Sequence, residues 1–223
     1  MHWVTVLPKN LKEQAVLQML EMHKENKMKE PILYKIVKYS VGFVFKFLYR
    51  PTMIGTENIP DNGRVVLAGN HTNYFDCALI ICSTKRFVHF LAKDELMKGP
   101  LKHIFKGFGI IPVNRRAKDK AALQSAIDTL NEDKVIGIFP EGTINRTDDV
   151  IMPFKFGAVK MSRDADASIV PFTITGEYKA FKKSIKIQYY KPLKPTDNLE
   201  EANEKLMKVV SDGLIKEGFK QNK

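Results

Sequence analysis

From residue 51 onward, short apolar runs alternate with stretches whose apolar positions recur at helical spacing. Residues 64–69, an Arg followed by an uninterrupted apolar run, predict a buried strand, followed by a helix over 75–83. Residues 87–92 and the run 109–113 predict two further strands. An amphipathic helix over 117–131 and a strand over 135–139 come next. Residues 157–163 predict a helix and 169–174 a strand, while 185–190 alternate as an edge strand does. A polar-faced helix over 199–215 closes the chain. Such alternation predicts an α/β fold, a largely parallel sheet flanked by helices. Catalytic groups in such folds sit in loops past the carboxyl ends of the strands.

The first fifty residues read differently, as an N-terminal helical pair appended to a domain over 51–223. Asn10 and Glu13 form a capping box, and Leu11, Ala15, Val16, Met19, Leu20 and Met22 fill the apolar stripe of a helix that ends before Pro31. A second helix is predicted over 34–49. Lys35, Lys38, Gly42 and Lys46 share one narrow stripe of it, and nearly every other position is large and apolar, Phe43 and Phe47 among them. At ~1.5 Å per residue it reaches about 24 Å, short of the ~30 Å hydrocarbon core of a bilayer. A broad apolar face with a lysine stripe suits a helix lying in a membrane interface, rings at the acyl boundary and Lys35, Lys38 and Lys46 at lipid phosphates. The alternative is a helix packed onto the domain. No other stretch reaches the ~18 apolar residues of a transmembrane helix, and no secretory signal pattern opens the chain.

Composition narrows the classes. A chain of 223 residues with 44% hydrophobic and 27% charged positions excludes a disordered tail, a collagen-like repeat and a coiled coil. Cys77 and Cys82 fit neither a disulfide framework nor a metal-ligand spacing, which points to a reducing compartment. The formal net charge of +11 attracts polyanions. Residues 85–120 hold ten Lys/Arg against three acids, residues 179–194 six Lys and no acid, and residues 1–50 nine Lys/Arg against four Glu. Nucleic acid, an anionic lipid surface and an acidic protein are the polyanions such charge can meet, and no nucleic-acid-binding motif accompanies it.

The candidate chemistry begins directly after the strand 64–69, at Asn70-His71-Thr72-Asn73-Tyr74-Phe75-Asp76. A His and an Asp five positions apart at a strand-to-helix turn can meet, the carboxylate holding one ring proton and leaving the other nitrogen as a base. A helix N-terminus also disfavours the imidazolium form. No Gly-x-Ser-x-Gly elbow, P-loop or dinucleotide fingerprint occurs, and Cys77 and Cys82 read as core. The base therefore has a hydroxyl of the substrate to deprotonate. Two further clusters follow strands: Phe139-Pro140-Glu141-Gly142-Thr143, with Arg146 and Lys155 beyond it, and Gly109-Ile-Ile-Pro-Val-Asn-Arg115. Backbone N–H groups at a glycine turn and an Arg at a strand end both suit an anion.

Taken in order, Asn-His-x-x-x-x-Asp, Gly-Ile-Ile-Pro-Val-x-Arg, Phe-Pro-Glu-Gly-Thr and Val170-Pro171-Phe172 resemble the motif set of the glycerolipid acyltransferases, in particular the bacterial 1-acyl-sn-glycerol-3-phosphate acyltransferase type. The resemblance covers roughly residues 50–195. It implies a glycerol-3-phosphate acyltransferase-like fold and catalysis by His71 and Asp76. It also implies substrate binding by Asn70, Arg115, Glu141, Gly142, Thr143, Arg146 and Lys155. Members often carry Arg directly after Glu-Gly-Thr, whereas Ile144 and Asn145 precede Arg146 here. The implied reaction moves a fatty acyl chain from acyl-CoA or acyl carrier protein to lysophosphatidic acid, giving phosphatidic acid without metal or organic cofactor. The implied location is peripheral, on the cytoplasmic face of the cell membrane. Other acceptors (glycerol-3-phosphate, another lyso-lipid) and a non-catalytic lipid-binding role are the alternatives.

Overall fold

A strand covered on both faces carries apolar side chains at consecutive rather than alternate positions, and Val65–Gly69 is buried at all five. That strand is the centre of the fold. The computed structural model describes residues 32–93, 110–113 and 120–219. In chain order the elements are α1 (Ile32–Tyr49), β1 (Thr52–Ile54), β2 (Val65–Gly69), α2 (Asp76–Ser83), β3 (Val88–Lys93) and β4 (Ile110–Val113). There follow α3 (Lys120–Asn131), β5 (Val135–Ile138), α4 (Gly157–Asp164), β6 (Ser168–Gly176), β7 (Ile185–Tyr189) and α5 (Leu199–Lys216). The strands form one seven-stranded sheet in the order β1-β7-β6-β2-β5-β3-β4. Every pairing is parallel except β6 with β7, which agrees with the α/β expectation.

Alternate residues of the central strands feed two cores. Val66, Ala68, Ile136 and Ile169 meet α3, α4 and α5 through Ala126, Leu130, Ala158, Leu206 and Val210. Val65, Leu67, Val170 and Phe172 meet Leu79 and Ile80 of α2 and Phe45 of α1. The N-terminus of α5 is capped by the Asn198 side chain, which accepts from the Glu201 N–H at 3.1 Å, as a short polar side chain at that position does. Three loops converge at the carboxyl ends of β2, β5 and β6.

Two expectations about the margins of the sheet change. The strand expected over 185–190 is not an edge. Its alternation records one buried and one half-buried face, while β1 pairs along its free side with Met53 opposite Ile187. The first helical pair also divides differently. The compact unit of the body begins at Leu33 and not at residue 51, because α1 packs onto the body. Gly42 lies so close to α2 that a Cβ there would stand 3.3 Å from Cys82 Sγ. Lys38 Nζ donates to the Lys85 carbonyl at 2.6 Å, so Lys38 is tied to the body and does not reach toward lipid. The opposite side of α1 stays open, with Tyr39 and Phe43 each 72% exposed, Phe47 56% and Val44 52%. Lys35 and Lys46 are exposed too, and at 100° per residue they border that aromatic strip. The packed reading therefore holds for one face of the helix, and the body leaves the other face uncovered. The helix expected before Pro31, Gly109 and Arg115 lie outside the described residues. No described helix is long and apolar enough to cross a membrane.

This division of α1 predicts opposite outcomes for two phenylalanines two positions apart. Phe45, 5% exposed in the α2-side core, loses about 3 kcal/mol of stability or more on Phe45→Ala through lost transfer energy and a residual cavity. Phe43→Ala changes stability by no more than about 0.5 kcal/mol, as exposed substitutions do. Urea denaturation of both variants checks this, and equal losses would contradict the packing.

Candidate active site

The site begins where β2 ends. Gly69 has no Cβ, and one placed there would stand 2.2 Å from the Phe172 carbonyl oxygen, so glycine alone lets β2 and β6 run this close. Asn70 continues the clamp with both ends of its amide. Its Nδ2 donates to the Ile174 carbonyl at 2.9 Å, and its Oδ1 accepts from the Ile174 N–H at 2.8 Å. The residue is 4% exposed, so its side chain is spent on the sheet rather than offered to a ligand.

His71 follows and is held from both sides of its backbone. Its N–H donates to Glu141 Oε1 at 2.9 Å, and its carbonyl accepts from the Asn145 N–H at 2.9 Å. The ring stacks on Phe139, centroids 3.9 Å apart and 11° from parallel. Its Nδ1 lies 2.8 Å from Asp76 Oδ2. A carboxylate only accepts, so that contact assigns the proton to Nδ1 and leaves the Nε2 lone pair free. The His71 side chain is 16% exposed and that of Asp76 not at all.

Asp76 opens α2 and gathers donors. Oδ2 accepts from His71 Nδ1–H and from the N–H groups of Thr72 at 2.7 Å and Asn73 at 2.9 Å. Oδ1 accepts from Thr72 Oγ1 at 3.2 Å and from the Tyr178 hydroxyl at 2.7 Å. Tyr178 arrives from the loop after β6, and burial beside Asp76 pushes its phenol far above the usual range, so it remains a donor. Its ring packs among Phe45 and Tyr49 of α1 and Phe75.

Glu141 takes a different place from the one the motif resemblance implies. It is 4% exposed, and its second oxygen accepts from the Met152 N–H at 2.9 Å. Burial raises its pKa, and the Met152 and His71 N–H groups oppose that rise. Glu141 is thus a positioning residue that ties the His71 loop to the loop after β5. Gly142 carries a φ of 76°, in the region that favours glycine. A Cβ there would meet Lys155 Nζ at 2.6 Å, so the exposed Lys155 lays its ammonium over the turn. Thr143 and Arg146 are exposed on the same loop. Asn145 supplies its N–H to His71 and orders the loop by accepting from the Thr147 N–H at 2.9 Å.

The arrangement suits a general base and little else. Burial pushes the Cys77 thiol up to about 12, so it is no nucleophile near neutral pH, and burial raises Cys82 as well. Among the described residues no three His, Cys, Asp or Glu side chains cluster as metal ligands would. Sequence reasoning missed Tyr178 and Asn145. Asn145 stood in view as a departure from the family pattern, while nothing local marks Tyr178, 102 positions from its partner.

A family model described as acyltransferase matches residues 50–175. A 1-acyl-sn-glycerol-3-phosphate acyltransferase of Borreliella burgdorferi is 38% identical over 134 residues, covering 59% of this chain and 53% of the relative. The chain thus spans about half the length of that protein. The Bacillus subtilis protein of the same name is 26% identical over 171 residues, covering 74% of this chain and 84% of its own. The crystal structure of the 1-acyl-sn-glycerophosphate acyltransferase from Thermotoga maritima superposes with a TM-score of 0.67 over 85% of this chain and 81% of that one, at 22% identity. That likeness is one of fold.

The Tyr178 contact generates a test on the carboxylate that holds the ring. The hydroxyl donates to the buried Asp76 carboxylate at 2.7 Å, and a hydrogen bond to a charged group contributes about 1.5–3 kcal/mol. Tyr178→Phe is therefore expected to lose stability of that order in urea denaturation. A loss below about 0.5 kcal/mol would contradict the role of the hydroxyl.

Proposed function

The chain belongs to the acyltransferase family, and from that premise we propose that it transfers a fatty acyl chain from an acyl thioester to the free hydroxyl of 1-acyl-sn-glycerol-3-phosphate, giving phosphatidic acid. The observation that carries this reading is the His71–Asp76 pair at 2.8 Å, its Nε2 free at the carboxyl end of the sheet. Nε2 removes the acceptor's hydroxyl proton as the oxygen attacks the thioester carbonyl. The tetrahedral intermediate collapses with loss of the thiolate, which takes the proton back from the imidazolium. Asp76 keeps the ring in the Nδ1–H tautomer and offsets the charge that forms on it.

The acceptor phosphate is assigned to the face where Lys155 covers the Gly142 turn, with Thr143 and Arg146 exposed beside it. The donor is acyl-CoA or acyl carrier protein, either of which offers phosphate or carboxylate charge to the basic 85–120 region. The aromatic strip of α1, bordered by Lys35 and Lys46, supports a peripheral seat on an anionic bilayer at the cytoplasmic face. Apolar burial contributes roughly 25 cal/mol per Å², and each lysine near anionic lipid adds about 1 kcal/mol. Such a seat lets the acyl tails of acceptor and product stay in the membrane.

Thiol release from acyl-CoA and from acyl carrier protein, measured across an acceptor panel, tests the proposal. Lysophosphatidic acid is expected to exceed glycerol-3-phosphate and the other lyso-lipids, and His71→Ala to lose about 10²–10⁴ in kcat with its melting temperature retained. Faster turnover of a different acceptor would reassign the substrate. A His71→Ala enzyme keeping more than about a third of wild-type kcat would end the general-base mechanism.

A further inference from the structure

Phe181 stands in the loop after β6 at a backbone position that disfavours bulky side chains. Its φ of 60° is left-handed, which crowds Cβ against the following carbonyl, and a large residue there is an outlier. The strain does not hide the ring, for Phe181 is 58% exposed. Two contacts hold it in place. Its N–H donates to the Leu48 carbonyl near the end of α1 at 2.5 Å, and its ring meets Phe47 edge-on with centroids 6.0 Å apart. The turn thus extends the open strip of Tyr39, Phe43 and Phe47 past the end of the helix.

Charge completes the picture. Residues 179–183 are all exposed and include Lys179, Lys182 and Lys183. Lys179 is paired with Glu177, whereas Lys182 and Lys183 pair with no carboxylate among the described residues. A solvent-facing ring flanked by exposed ammonium groups matches the boundary between lipid headgroups and acyl chains, where apolar insertion and phosphate contact occur together. A surface strip running on from the α1 rings fits a planar interface better than a single anchoring pocket on a partner protein.

We propose that the 179–183 turn is a second lipid-contacting element, inserting Phe181 into an anionic bilayer beside the α1 strip while Lys182 and Lys183 contact lipid phosphates. The proposal rests on the reading of α1 as a bilayer seat. The same loop carries Tyr178 to Asp76, so the lipid contact and the catalytic pair share one short segment of chain.

The experiment places an indole at the turn. Trp3 is the one tryptophan of the chain, so Phe181→Trp is made in a Trp3→Phe background. Its emission is read with phosphatidylcholine vesicles containing phosphatidylglycerol, with and without bromine on the acyl chains, and sedimentation is measured in the same samples. The expected result is a blue shift on vesicle addition and loss of intensity with brominated chains. Phe181→Ser is expected to bind about ten-fold more weakly. Lys182→Gln with Lys183→Gln should lose roughly five-fold per lysine on these anionic vesicles and nothing on phosphatidylcholine alone. Protein that sediments while the introduced indole keeps its aqueous spectrum overturns the proposal and leaves the α1 reading standing. Protein that fails to sediment overturns the α1 reading, and the turn with it.

Discussion

A carboxylate withdrawn from water is tolerable only while donors answer its lone pairs, and the loops at the carboxyl end of the sheet are arranged around that requirement at Asp76. With no exposed side-chain surface, it takes hydrogen bonds from His71, Thr72, Asn73 and Tyr178. The first three belong to the turn between β2 and α2, so the local sequence folds into the site. The fourth comes from beyond β6 and makes the site depend on the tertiary fold. Each of these bonds fixes the orientation of the carboxylate. Holding the carboxylate in this way is what aims the His71 ring.

The loop after β5 performs the complementary task on the His71 backbone. Glu141 and Asn145 take its N–H and its carbonyl, and Phe139 carries the ring face. Imidazole orientation is thus set by a hydrogen bond at the ring edge, a stack on its face and two bonds at its root. On the proposed reaction this pre-organisation means that the base needs no rearrangement when the acceptor hydroxyl arrives. The ring cluster of Phe45, Tyr49, Phe75 and Tyr178 then joins the turn between β2 and α2 to α1. The buried side of that helix belongs to the core, and its open side faces outward with the Phe181 turn.

Much of this was legible in the chain, for reasons that differ by element. The buried strands 65–69 and 135–138 announced themselves because a strand covered on both faces shows an unbroken apolar run. The His71–Asp76 pair was readable because both residues lie within one turn. β1 escaped notice because three residues between Pro51 and Gly55 carry no period. β7 was mistaken for an edge because alternation reports unequal faces and says nothing about which neighbour closes the ladder. α1 reads as either interfacial or packed because periodicity cannot say which face of a largely apolar helix the body covers. Tyr178 had no local signature, since only the return of β6 alongside β2 brings it to Asp76. Glu141 was associated with the site by motif, but its backbone partners, His71 and Met152, emerge only when two loops meet.

On the proposed reaction His71 and Asp76 act as one device, the carboxylate serving only through the ring it aligns. Residues that act as a unit show strongly non-additive losses. The most direct measurement is a double-mutant cycle on thiol release, comparing His71→Ala, Asp76→Asn and the double variant in folded protein of matched melting temperature. Asp76→Asn is expected to slow the wild type strongly and the His71→Ala enzyme hardly at all. Losses that multiply independently in the double variant would contradict it.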